Sequence, residues 1–421
     1  MSTAVYKLGN IPGFKNMLLN ESTSDSSNVT KFNRASYVTK NNNKYSIIRY
    51  DKEMLANDLI PTVGLLRSIV VDAANHVVSF SPPKSLPYST FIENHPERND
   101  YIVAEEFVEG TMINVFWDKT SGLSGSWEFA TRNTVGGEVS FYRHSSKKNA
   151  KTFRAMFLEA AHNNGFNLNM LNPTYCYSFV LQHPDNRIVV PFKDTQLYLV
   201  EVYEIVNTAD GTVNVFSHDL NIVKSYEGWS NLSILFPQVY DNWSTYDDLK
   251  NEYASMNTPY QILGVVIKNK KTLERSKLRN PVYEYVRHLR GNQPKNQYQY
   301  LTLRREGKVG DFLKYYPENK KDFSYFRDKM HEFTFALYQN YISCYIKKEK
   351  PLKEFPDHFR THMFHLHKMF VDELKPNNEY VNNTVVIKYV NNLHPSLQMY
   401  SMNACLRKRR VDFVKVDSTT D

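Results

Sequence analysis

The sequence predicts an α+β protein, with short strands over its first two thirds, one helix interrupting them, and a helical stretch at its end. Apolar alternation with turn residues between runs marks the strands: YSIIRY (45–50), SIVVD (68–72), HVVSF (76–80), DYIVAEEF (100–107), TMINVFWD (111–118) and SWEFATR (126–132). A helix is expected from Lys147 to Asn164, because Phe153, Met156, Phe157, Ala160 and Ala161 share one face and Gly165 can end it. Strands resume as YCYSFVLQ (175–182), RIVVPF (187–192), QLYLVEVYEI (196–205) and QILGVVIK (261–268). Strands, one helix and more strands suit an α+β core better than a regularly wound parallel sheet.

Beyond about residue 295 the period changes. Phe323, Phe326, Met330, Phe333, Leu337 and Tyr341 recur at helical spacing, and a second helix is expected from Asp357 to Leu374, between Pro356 and Pro376. The expected organisation is an N-terminal segment at 1–44, partly loop (NESTSDSSN, 20–28), a core at 45–295 and a helical domain at 296–421.

Composition bounds the function classes. The chain has 421 residues, 41% of them hydrophobic, with 29 Tyr and 25 Phe, which suits packed cores. Its formal net charge of +8 favours a polyanionic partner such as RNA. Cys176, Cys344 and Cys405 lie far apart, which argues against a disulfide framework and for a reducing compartment. No basic-then-apolar leader and no run of about 18 apolar residues is present, so a soluble, intracellular protein that does not engage membranes is expected.

Five segments carry the functional reading. Arg67-Ser68-Ile69-Val70-Val71-Asp72 is followed by Pro82-Pro83-Lys84, and then by Ala104-Glu105-Glu106-Phe107-Val108-Glu109-Gly110-Thr111. Next come Tyr177-Ser178-Phe179 with Asn186-Arg187-Ile188-Val189, then Leu263-Gly264-Val265-Val266-Ile267-Lys268, and last Arg275-Ser276-Lys277-Leu278-Arg279. In order and spacing this resembles the tRNA-repairing RNA ligases of T-even bacteriophages and related sequences of large DNA viruses, over roughly residues 45–290. The resemblance implies a nucleotidyltransferase core of antiparallel sheets with flanking helices, followed by a helical C-terminal domain. It also implies ATP and Mg²⁺ as cofactors. In that family a lysine in Lys-x-Asp-Gly attacks the α-phosphorus of ATP and carries AMP as a phosphoramidate, for transfer to an RNA 5′-phosphate.

The departures are selective. Aligned on Gly110, Glu109 takes the place of the family's aspartate, and Phe107, which has no nucleophilic lone pair, takes the place of the lysine. The glutamates of two later motifs fall at Ser178 and Leu263, whereas Arg275 and Lys277 keep the positive charge of the Lys-x-Lys motif. No catalytic residue is therefore assigned. By the resemblance, Arg67, Lys84, Glu109, Gly110, Arg132, Phe179, Lys268, Arg275 and Lys277 are expected around a nucleotide. Phe179 has a competing reading as core.

The basic, aromatic stretch with Lys270, Lys271, Arg279, Tyr283, Tyr285, Arg287 and Arg290 suits single-stranded nucleic acid, and equally a solvated face. His358, His362 and His365 share a helix face, but the apolar residues around them favour packing over a metal site. Arg407-Lys408-Arg409-Arg410 reads as a solvated tail.

The leading expectation is a ligase-like binder of nucleotide or RNA ends, with service as a partner of another enzyme among its expected roles, in host cytoplasm or virion if viral. The alternatives are a working ligase with a relocated lysine, Lys84 or Lys277, and a structural viral protein that retains the fold.

Overall fold

A computed structural model describes residues 4–19, 32–140, 150–209, 211–225, 229 and 232–404. The expected loop at 20–28, Cys405 and the basic run 407–410 lie outside the described residues. The chain folds as two compact units, the first drawn from 1–142 and 149–287, the second continuing from 288.

Three antiparallel sheets build the first unit. The strands are β1 Val5–Lys7, β2 Phe32–Val38, β3 Lys44–Tyr50, β4 Ile69–Asp72, β5 Val77–Phe80, β6 Ile102–Glu106, β7 Thr111–Asp118 and β8 Ser126–Ala130. They continue as β9 Tyr175–Gln182, β10 Gln196–Asn207, β11 Val213–Ser217, β12 Val239–Tyr240, β13 Gly264–Asn269 and β14 Arg275–Arg279. A six-stranded sheet runs β1-β11-β10-β9-β7-β8, and two four-stranded sheets run β12-β6-β13-β14 and β2-β3-β4-β5.

The helix Phe153–Asn163 buries the five residues that define its apolar face and packs them with Phe129, Phe179 and Leu197 of the large sheet. Thr152 caps it by accepting from the Ala155 N–H at 3.2 Å. Burial of each such aromatic or aliphatic side chain contributes about 1.5–3 kcal/mol. Residues 147–149 of the longer expected helix lie outside the described residues.

Three expectations need correction. The described residues of the expected 1–44 segment join the first unit: β1 pairs with β11 and β2 with β3, while Leu8, Ile11 and Phe14 enter the core beneath β3 and β4. The stretch 187–192 is not a strand, because the Val189 and Val190 N–H groups donate to the Glu109 carboxylate instead of to a neighbouring strand. The second unit starts at His288 rather than 296.

In that second unit, the helix Lys320–Tyr341 buries Phe323, Phe326, Met330, Phe333, Leu337 and Tyr341, the expected stripe. The helix Asp357–Met369 gives way to a π-helical turn, Phe370–Leu374, so the expected 357–374 span holds with a wider final turn. Among the described residues, no helix is long and apolar enough to cross a membrane.

Candidate anion-binding cleft

Two glycines bring the relevant strands together. Gly110 opens β7 with φ of 148°, and a Cβ there would sit 2.5 Å from the Leu181 carbonyl oxygen. Gly264 opens β13 with φ of 131°, where a Cβ would meet the Leu278 carbonyl oxygen at 2.1 Å. Only glycine tolerates such backbone angles and such an approach. Between them, the Phe107 N–H donates to the Gly264 carbonyl at 3.2 Å, which fixes Phe107 at the end of β6 beside the β13–β14 hairpin.

Strand alternation places Arg275, Lys277 and Arg279 on one face of β14, while Ser276 and Leu278 turn into the core. Lys277 Nζ stands 4.3 Å from the centre of the Phe107 ring, and the Arg279 guanidinium lies 5.8 Å from the same centre. Burial, followed by the charges of Arg67, Arg275, Arg279 and Lys84, holds the Lys277 ammonium well below the usual lysine range. Arg67 is lowered to about 10, by burial first and then by Arg275 and Arg132. Lys84 is lowered by burial, Arg67, Arg279 and Arg132.

Six cations therefore act on one another from four parts of the chain. Among the described residues, Arg67, Lys84, Arg132 and Lys277 have no carboxylate within ion-pair distance. Concentrated, uncompensated positive charge in a protein cleft is an anion site in waiting.

The neighbouring charges are already neutralised. Lys268 Nζ reaches Glu105 at 2.7 Å and Glu201 at 2.8 Å, and Arg275 reaches Glu201 at 3.5 Å, all four side chains being largely buried. Burial pushes the Lys268 ammonium down, but the two glutamates outweigh it and hold the group above its ordinary value. Glu105 and Glu201 were missed in the sequence. The available signal was Glu201, an acidic residue between Val200 and Val202 in the apolar run of β10.

At the two positions where the resemblance expects glutamate, Ser178 donates to Asn114 at 2.8 Å, Asn114 donates to Ser81 at 2.6 Å, and Leu263 is buried. Among the described residues, no cluster of three histidine, cysteine or acidic side chains could hold a metal ion. The donor set suits phosphate oxygens.

The other predicted residues separate into roles. Glu109 is buried and accepts from Val189 N–H at 2.7 Å and Val190 N–H at 3.1 Å, so it anchors the 187–190 loop rather than facing the cations. Burial raises its carboxyl to about 7, against the pull of those two N–H groups, Arg187 and Tyr283. Phe179 is fully buried against Phe157 and Phe166, so it presents no ring face to adenine.

Tyr283 is likewise buried and hydrogen-bonds Glu109, which corrects its expected role as a stacking platform; Tyr285 is exposed. Lys270 pairs with Asp219 at 3.0 Å, and Lys271 lies over Tyr101. Arg279 and Arg287 share Glu284 at 2.7 and 3.4 Å, and Arg290 is buried. The 268–290 run is thus largely engaged by the protein, apart from Lys277. In the second unit, both His362 ring nitrogens are hydrogen-bonded, to Tyr389 and Ser401 at 2.9 Å each, while His358 packs on Phe359.

No protein-family model matches the sequence. Curated proteins do. An RNA ligase of Rhodothermus phage RM378 is 21% identical over 237 residues, covering 49% of this chain and 50% of the phage protein. The chain is similar to a phage RNA ligase. An immediate-early protein ICP-46 homologue of Invertebrate iridescent virus 6 is 22% identical over 274 residues, covering 61% of this chain and 56% of that protein.

The chain thus spans about half the length of the curated relatives it matches. Solved structures with some likeness include an RNA ligase of Naegleria gruberi with AMP and manganese, at 14% identity and a TM-score of 0.33 over 48% of this chain and 57% of that one. An archaeal ATP-dependent RNA ligase has 11% identity and a TM-score of 0.38 over 68% of this chain and 70% of that one.

Proposed function

We propose that this chain binds nucleotides and phosphorylated RNA ends through their phosphates, without forming a lysyl-nucleotide intermediate. The observation that carries the reading is the set of cations Arg67, Lys84, Arg132 and Lys277, without ion pairs among the described residues and linked by mutual charge effects, with Lys277 against Phe107. Phosphate oxygens would relieve their mutual repulsion and the cost of holding charge away from water. The likeness to a phage protein named RNA ligase supports RNA as the class of ligand. ATP would enter as a polyphosphate, and among the described residues no group of three histidine, cysteine or acidic side chains is placed to ligate Mg²⁺.

One observation favours a second reading. Burial and neighbouring cations make the Lys277 ammonium give up its proton more readily than an ordinary lysine, and Lys277 lies against the ring at the position where the family's nucleophile stands. Its nitrogen would bond to the α-phosphorus of ATP, the α–β phosphoanhydride bond would break, pyrophosphate would leave, and the nitrogen would release a proton.

Radiolabelled ATP with Mg²⁺ or Mn²⁺, followed by a denaturing gel, separates the two readings. The expected result is no acid-labile labelled band. A band lost on Lys277→Met would replace the binding reading with the relocated nucleophile. Phe107→Lys is expected to leave activity far below a working ligase, because Ser178 and Leu263 leave two carboxylates missing.

A further inference from the structure

A second polar cleft of about 290 Å³ opens between β3 and the turn after β8, lined by Arg49, Tyr50, Lys52, Arg132 and Asn133, with Asn33 from β2. No segment of the ligase resemblance reaches Arg49, Tyr50 or Lys52. Its cations Arg49, Lys52 and Arg132 form no ion pair among the described residues, although Asp51 and Glu53 also stand in the lining. Arg49 bonds the Asn133 side-chain oxygen, a neutral acceptor, and Arg132 lies 5.7 Å over the Tyr50 ring. The Nε atoms of both arginines are buried and have no hydrogen-bond partner. Lys52 has no ion pair among the described residues. Of the two acids in the lining, Asp51 is turned back to accept from the Glu53 backbone N–H at 2.9 Å.

A guanidinium with a buried, unsatisfied N–H is costly to hold and is stabilised by an acceptor oxygen. Two of them, with a lysine at the rim, suit a tetrahedral oxyanion. Arg132 joins this cleft to the first, since its charge acts on both Arg67 and Lys84. Arg132 therefore belongs to both groups of cations, lining the β3 cleft and adding its charge to Arg67 and Lys84.

We propose that the β3 cleft is a second phosphate site, which takes an internal phosphodiester of a single-stranded nucleic acid whose terminal phosphate lies against Arg67, Lys84 and Lys277. This inference rests on the phosphate-binding reading above. Under it, the ligand is a strand end at least two phosphates long, rather than a free nucleotide.

Titrations of the whole chain with AMP, inorganic phosphate and a 5′-phosphorylated RNA trinucleotide test the inference. The expected order is trinucleotide tighter than AMP. Arg49→Ala and Lys52→Glu should each weaken the trinucleotide and leave AMP unchanged, while Arg132→Gln weakens both. The log–log salt slope for the trinucleotide should become shallower by about 0.7 for each contact removed. Lys52 is exposed and distant from the core, so its variant keeps the test informative if Arg49→Ala disturbs β3.

Equal affinity for AMP and trinucleotide would overturn the second site, as would variants that weaken both ligands alike. Inorganic phosphate that binds the Lys52→Glu protein as well as wild type, with the trinucleotide also unaffected, would place no phosphate in the β3 cleft. Failure of the wild-type protein to bind any of the three ligands would instead overturn the phosphate-binding reading itself.

Discussion

Glu109 shows how a residue can keep its motif position while doing different work. Its carboxylate holds the backbone of Val189 and Val190, so Glu109→Ala should strand two N–H groups and cost about 1–3 kcal/mol, read as a lowered urea midpoint. Glu109→Gln keeps one acceptor oxygen and should cost less. The sign of the pH effect follows from the carboxyl being raised from 4.5 to about 7 in the folded chain. Between those values the folded protein holds the proton more tightly than the unfolded one, so this group's contribution to stability falls as pH rises from about 4.5 to 7. Glu109→Gln should remove that slope, and an unchanged pH profile would mean that another group governs it. The Glu201 carboxylate, shared by Lys268 and Arg275, is predicted to matter more. Glu201→Gln would leave buried cations undercompensated and should cost about 3–5 kcal/mol by denaturant titration.

At the scale of elements, the β13–β14 hairpin depends on Gly264. Gly264→Ala must move either the β14 backbone or its own φ, at about 1–3 kcal/mol in strain alone. The expected result is early loss of amide protection across Val265–Ile267; normal protection there would count against the tight approach. This hairpin also shows what the sequence made legible. Apolar alternation exposed β3 to β10 and β13 because each has one face in a core. β14 escaped notice because Arg275, Lys277 and Arg279 fill its other face, leaving too few apolar residues to show a period. β1 and β2 are short or half-exposed and were hidden for a similar reason. RIVVPF carried a strand-like pattern but follows a carboxylate, because hydrogen-bond satisfaction across the chain overrides local propensity. The order of motifs made the cations of the cleft legible. The core reading of Phe179 was available from its alternation with Tyr177, whereas the basic residues around Tyr283 suggested a nucleic-acid face and nothing local revealed that it turns inward to Glu109.

For the whole molecule, the mutual repulsion of the cations makes phosphate binding a protonation event. A bound anion should restore the ordinary affinity of Lys277 for its proton, so binding should take up protons and strengthen as pH falls through the depressed Lys277 range. Calorimetry of AMP binding in two buffers of different ionisation enthalpy, above the second phosphate pKa of about 6, should show net proton uptake. Lys277→Met should abolish that uptake and weaken binding. Binding with no proton exchange would mean that Lys277 is already charged in the free protein.

The contact between Phe107 and Lys277 also bears on how this sequence can change. A lysine substituted at 107 would bring a second amine against Lys277, beside three guanidinium groups, in a cleft whose nearest glutamates are committed to Lys268 and Arg275. A carboxylate substituted at 178 would press on the Asn114 oxygen that Ser178 now donates to. Under the phosphate-binding reading proposed above, each of these substitutions taken singly is unfavourable, so the ring at 107 is kept by the charges around it.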